Sequence, residues 1–339
     1  MRPEHKILKA RASLMGPALF LFLAGIFFAP VMWAEARAES GAESRAYIPN
    51  QSDSTVSIID TKTDTNIATL KVGEGPAGVA VSDDGARIYI SSPGAKELSL
   101  IDGATGQITA RRVLGSGPLG LAVEPSGRRV YVADWYEDVV YVLNGENLAE
   151  LGKVRVGRSP SGLAVDEAHE RLYVTDRDSN TVSVIDTASL AVIARVKTGA
   201  RPFGIAVDRA GKRVYTANVA SNDVTVIDTA ALKPIATIAV GETPYGVALT
   251  PDSSRLFVTN QHAGTLSVIE TAGFKTLATL QTGEFPEGIL VHPDGIRVYV
   301  ACWFENEVQI FNAQTLEKLG SVPVGDGPRG FGRFIAGGS

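Results

Sequence analysis

The chain has 339 residues, 32 basic and 37 acidic, with 35 glycines, 17 prolines and 45% hydrophobic residues, a balance that excludes a disordered or low-complexity protein. A single cysteine, Cys302, excludes an internal disulfide and a thiolate zinc site, so a metal would need histidines and carboxylates. The net charge of −5 speaks against indiscriminate binding to polyanions, because such affinity comes from Lys and Arg neutralising phosphates.

The first predicted element is an export signal. Arg2, Lys6, Lys9 and Arg11 precede an uncharged, mostly apolar run from Leu14 to Trp33, and Ala34-Glu35-Ala36-Arg37-Ala38 then offers small residues for cleavage, placed here after Ala38. The same run of 20 residues could instead stay as an anchor, since ~1.5 Å of rise per residue suffices to span a bilayer. Pro17 and Pro30 favour cleavage, and no cysteine follows the run to carry a lipid. The reading is a signal peptide over residues 1–38, a single domain over 39–339, and a periplasmic or secreted protein with no transmembrane span after cleavage. Taking away five basic residues (Arg2, Lys6, Lys9, Arg11, Arg37) and two acidic ones (Glu4, Glu35) leaves 27 against 35, a net charge of −8.

From residue 73 onward the sequence repeats itself. Gly73, Gly115, Gly157, Gly199, Gly241, Gly283 and Gly325 are spaced by 42, and Pro76, Pro118, Pro160, Pro202, Pro244, Pro286 and Pro328 keep the same step. So do Gly78, Gly120, Gly162, Gly204, Gly246, Gly288 and Gly330, giving seven G-x-x-P-x-G units without a gap. Within residues 202–241 the runs Gly204–Val207, Arg213–Thr216, Val224–Asp228 and Ile235–Val240 read as four short strands, rich in β-branched residues and separated by Gly, Asp and Asn turns. A 42-residue unit of four antiparallel strands has the period of a β-propeller blade, and seven blades close a ring. The fold class is therefore all-β, a seven-bladed β-propeller. The phase of the repeat predicts the seam: Ala46-Tyr47-Ile48-Pro49 matches the second strand of a unit and Gly330–Ile335 the first, so the C-terminal strand joins the N-terminal strands in one blade.

The second-strand segments Tyr47-Ile48-Pro49-Asn50, Tyr173-Val174-Thr175-Asp176, Tyr215-Thr216-Ala217-Asn218 and Phe257-Val258-Thr259-Asn260, with Thr55–Asp60 and Thr181–Asp186, resemble the YVTN family of β-propeller repeats. The resemblance covers about 290 residues. It implies a secreted, periplasmic or surface propeller. Its members include surface-layer modules, a periplasmic DNA-binding propeller and accessory proteins of periplasmic quinoprotein oxidation, so it transfers no chemistry by itself.

Positions shared by all units are explained by packing, which leaves the residues that depart in one unit as candidates for a site. The G-x-x-P-x-G loops and the loops after the Tyr strands are expected on one rim of the channel. Trp135 and Tyr136 stand in the loop of one unit, and Trp303 and Phe304 stand 168 residues later, four periods on, which predicts two aromatic walls nearly opposite one another. Phe203, Tyr245, Glu287 and Arg329 follow the proline in their units, and Phe285 precedes it. Arg158, Arg177 and Arg201 form a basic arc in adjacent units, and Glu284, Glu287 and Asp326 an acidic one.

Catalysis finds little support in these residues. His169 and His292 belong to turns on the opposite face, where solvation is expected, and His262 alone falls on the rim. His262 could be one axial ligand of a haem, but the absence of C-x-x-C-H excludes covalent c-type attachment. Cys302 reads as a buried small residue. No Ser-His-Asp spacing or phosphate-cradling loop is present, so no catalytic residue, no metal and no cofactor is assigned. The predicted function is non-catalytic binding of a ligand or periplasmic protein partner by a monomer. Two alternatives remain: an accessory or haem-binding propeller of periplasmic quinoprotein or cytochrome oxidation, and a propeller for single-stranded DNA. Aromatic stacking on bases at ~1–3 kcal/mol each supports the latter, and the net charge opposes it.

Overall fold

Every 42-residue period folds into one antiparallel sheet, and the seven sheets are stacked around an axis as the blades of a propeller. The computed structural model describes residues 45–336, so the expected export segment lies outside the described residues. Among the described residues there are 27 strands, β1 to β27 in chain order, and no helix long and apolar enough to cross a membrane. Six sheets have four strands. In one of these, β16 (Pro202–Val207), β17 (Arg213–Asn218), β18 (Asp223–Asp228) and β19 (Lys233–Ala239) run from the axis outward, where the sequence places its four runs.

The seventh sheet has three strands, β1 (Arg45–Asn50), β2 (Thr55–Asp60) and β3 (Thr65–Lys71). Its inner position is filled by the C-terminal segment, as the phase predicts. Tyr47 N–H donates to Phe334 O at 2.9 Å, Gln51 N–H to Gly327 O at 2.9 Å, and Arg329 N–H to Pro49 O at 2.8 Å. The segment is less regular than a strand, because at Phe331 it leaves β1 and bonds to β4 (Gly78–Val81) of the next blade, with Val79 N–H on Phe331 O at 3.0 Å.

The repeated residues do the packing. Tyr47, Tyr89, Tyr131, Tyr173 and Tyr299 are fully buried, and the hydroxyls of Tyr131 and Tyr299 reach the carboxylates of Glu124 and Asp64. The second glycine of each unit allows neighbouring inner strands to touch: a Cβ at Gly120 would lie 1.7 Å from Ser161 O, and one at Gly162 2.2 Å from Phe203 O. Any side chain there would push the blades apart.

A further repeat is legible in the sequence but is not among the expectations above. Arg45, Arg87, Arg129, Arg171, Arg213, Arg255 and Arg297 also keep the 42-residue step. They fasten each blade to the next on the face opposite the G-x-x-P-x-G loops. Arg45 donates to Gly103 O at 2.9 Å, Arg129 to Thr187 O at 2.5 Å, Arg213 to Thr271 O at 2.9 Å, and Arg297 reaches Thr61 O across the seam. Each guanidinium satisfies a turn carbonyl that would otherwise be left without a partner between two blades.

Candidate functional site

The G-x-x-P-x-G loops and the loops after the second strands do share one face, called here the upper rim. Trp135 N–H bonds to Gly117 O at 3.0 Å and Trp303 N–H to Phe285 O at 3.1 Å. The local reason is a β-bulge. In β8 (Pro118–Val123), Pro118 pairs with Asp134 and Leu121 with Val132, so two residues face one on β9 (Arg129–Asp134). The same shift occurs in β12 (Pro160–Asp166), β16, β20 (Pro244–Leu249) and β24 (Pro286–Val291). A bulge re-aims the side chain it carries, and the residue after each proline sits in it.

Three bulge residues and the seam segment meet near the axis. Phe203 stacks on Tyr245 with ring centroids 4.2 Å apart, and Phe331 packs against both at 5.1 and 5.2 Å. Trp135 tilts against Phe203 at 6.2 Å, with Arg177 above its ring at 5.3 Å. On the other side the Arg329 guanidinium lies 4.7 Å from the Phe331 ring and 5.0 Å from the Trp303 ring. The two tryptophans thus belong to one continuous line of contacts from Arg177 to Trp303. They do not face each other across an open funnel, because the intervening rings pave the space between them. Phe331 was not singled out from the sequence; its signal is an aromatic residue directly after the last G-x-x-P-x-G unit.

Glu287 belongs to that floor and not to an acidic arc. It is 3% exposed, takes two bonds from Arg329 and accepts from Gln261 Nε2 at 2.6 Å. Arg329 also donates to the Tyr245 hydroxyl at 3.1 Å and to Gln51 Oε1 at 3.2 Å. Burial by itself disfavours the guanidinium charge, but the facing Glu287 carboxylate outweighs it and holds Arg329 more firmly protonated than an ordinary arginine.

The basic arc is brought together around Asp178, through its carboxylate and its backbone carbonyl. Arg177 bonds Asp178 Oδ1 at 2.7 Å and Arg158 bonds Asp178 O at 2.7 Å, while Arg201 stands nearby, exposed, with φ 57°. Burial works against the Asp178 charge, yet the Ser159 hydroxyl and Arg177 keep its carboxyl below the usual range. His262 is exposed on the same rim beside Phe285, 5.1 Å between centroids, and Phe285 meets Phe304 edge-on at 4.9 Å. Phe285 holds φ 53°, a left-handed conformation that is costly for a bulky residue. Tyr136 and Phe304 point outward, 73% and 58% exposed. The aromatic loop of Trp135 and Tyr136 is fixed by buried Asp134, which accepts from the N–H groups of Ser116, Gly117, Tyr136 and Glu137 at 2.7–3.0 Å.

The other described histidines, His169 and His292, lie on the lower rim. His169 is half exposed and bonded to Asp166 at 2.8 Å. His292 is not solvated as expected: it is largely enclosed by Asp294, Thr61 and Tyr299, and burial lowers its pKa. Among the described residues no group of three or more His, Cys, Asp or Glu is arranged to hold a metal ion. Cys302 is fully buried, and burial pushes its thiol up to about 12. Because the thiolate is the reactive form, the native protein should give no reaction with a disulfide reagent at pH 8, and one equivalent only after denaturation. Fast reaction of the folded protein would contradict this burial.

Residues 22–205 match the model of a family described as YNCE-like beta-propeller. Among solved structures, the chain is similar to hydrazine synthase of Kuenenia stuttgartiensis, with 20% identity over 81% of this chain and 94% of that one and a TM-score of 0.74. It is also similar to the dihydro-heme d1 dehydrogenase NirN in complex with DHE, with 17% identity, 86% and 75% coverage and a TM-score of 0.67. A functionally unknown protein from Desulfotomaculum acetoxidans DSM 771 has 12% identity, 87% and 99% coverage and a TM-score of 0.76. No curated protein matches. At these identities the solved structures speak for the fold alone.

Proposed function

This chain belongs to the YNCE-like β-propeller family, and from that premise we propose that it is an exported binding protein that recognises a ligand or periplasmic protein partner across its upper rim. The observation that carries this reading is the outward exposure of Tyr136 and Phe304 on either side of the paved floor. Packing accounts for Phe203, Tyr245 and Phe331, which close the axis. It does not account for two large rings held in water on a rim that also carries exposed Arg158 and Arg201, whereas aromatic and arginine anchors are what interfaces use. With the upper end of the axis occupied by these rings, the partner lies across the rim, which favours a flat or extended surface.

Tyr136→Ala together with Phe304→Ala, which removes both exposed aromatic anchors, should lower retention of the partner from periplasmic extract about tenfold or more, at unchanged melting temperature. Equal retention would reject the rim. A labelled single-stranded oligonucleotide should bind weakly, because Arg177 is already paired with the Asp178 carboxylate and the chain is net acidic.

A haem-linked propeller is the second reading, favoured by exposed His262 beside Phe285 on a fold that a dihydro-heme d1 dehydrogenase also uses. A visible absorption band in the exported protein that is lost in His262→Ala would replace the first reading with this one.

A further inference from the structure

Below the aromatic floor the axis is hollow. A cavity of about 580 Å³ runs between the inner strands β8, β12, β16, β20 and β24 and the seam segment. Its inner end is the underside of Phe203, Tyr245 and Phe331, and it widens toward Pro125, Arg209, Pro251, Pro293 and Arg333 in the lower-rim turns. Neither tryptophan lines it. The cavity therefore extends from the aromatic floor to the lower-rim turns, and we read it as a well entered from the lower face.

Its wall is apolar. Val165, Ile205, Val207, Leu249 and Leu290 are each only half buried, although they lie on the innermost strands of the fold. The polar side chains on the wall are engaged elsewhere: Glu287 by Arg329, Thr250 by Asp252 at 2.5 Å, Asp166 by His169, and Asp208 by the Lys212 N–H at 2.7 Å. The side chains of the well are thus mainly hydrocarbon, its polar ones are already engaged, and the Glu287 charge at its inner end is paired with Arg329. Its volume falls in the range of small-molecule sites, which are concave, largely preformed and mostly apolar.

We propose that this well is a second binding site, which takes one small, uncharged, largely hydrocarbon molecule from the lower face. Such a ligand loses no hydrogen bonds on entry, and it covers aliphatic side chains that the fold leaves half exposed. A charged or strongly polar molecule of the same size would leave its groups unpaired against Val207 and Leu249.

The test uses the full chain and the uncharged fluorophore N-phenyl-1-naphthylamine. Saturable binding of one equivalent is expected, weakened at least tenfold by Val207→Trp, which fills the well, and by Leu249→Asn, which makes its wall polar. Tyr136→Ala with Phe304→Ala should leave it unchanged, which separates this site from the rim. Absence of saturable binding, or full binding in both wall variants, overturns the proposal. Should either variant fold poorly, a crystal of the unaltered protein soaked with the fluorophore decides: density between Phe331 and Arg209 supports the well, and density elsewhere, or none, refutes it.

Discussion

A chain ending at Gly327 is expected to lose cooperative unfolding. It lacks Phe334 and Ile335, both fully buried, and burying each such side chain is worth ~1.5–3 kcal/mol. It also lacks the hydrogen bonds of Arg329 and Phe334 to β1, so the first sheet keeps three strands and an open inner edge. The floor loses Phe331 and Arg329 at the same time. Circular dichroism should show a broad transition at lower temperature in place of one sharp step, and size-exclusion chromatography should show association through the free edge. A truncated chain that melts like the full one would mean that the seam contributes little and that the ring is held by the other blade contacts.

Arg329→Ala is expected to be nearly as damaging although it removes one side chain. It leaves the Glu287 carboxylate, 3% exposed, with Gln261 as its remaining partner. Breaking a buried ion pair from one side costs about 3–5 kcal/mol, and loss of the guanidinium between Trp303 and Phe331 adds ~1 kcal/mol. A fall in melting temperature of roughly 6–10 °C follows for a domain of this size. The double change Arg329→Met with Glu287→Leu should recover most of it, because no charge is then stranded. If the double variant melts as low as the single one, packing and not the uncompensated charge sets the cost.

The fold was legible in the sequence because a propeller writes each contact many times. Gly120 and Gly162 approach the next blade in the same way, and Arg129 and Arg213 clamp the next turn at the same offset, so a 42-residue step reports a contact without any knowledge of distances. The candidate site was legible only in its members. Trp135, Phe203, Tyr245 and Trp303 stand out as departures from their columns, but their columns say nothing about how far each ring reaches. The bulge after each proline turns Phe203 and Tyr245 inward, and Phe331 arrives from a segment that does not repeat. Opposed walls became a closed floor for that reason. Glu287 and Arg329 were separable into acidic and basic groups by type, yet they lie one period apart in neighbouring positions and neutralise each other. The well has no signal in the sequence because much of its wall is the Ala, Val, Leu and Ile that the inner strands carry in common.

The seam has a consequence for biosynthesis. β1 is the first strand to be made, and its neighbour at Pro328–Ile335 is the last, so its inner edge waits while six further sheets are synthesised. On that edge Tyr47 and Gln51 each donate an N–H to the late segment. Between them, on the same side of the strand, stands Pro49, which has no N–H to offer. The nascent chain therefore displays an interrupted row of donors, a poor template for a stranger's strand, until its own C-terminus arrives to claim it.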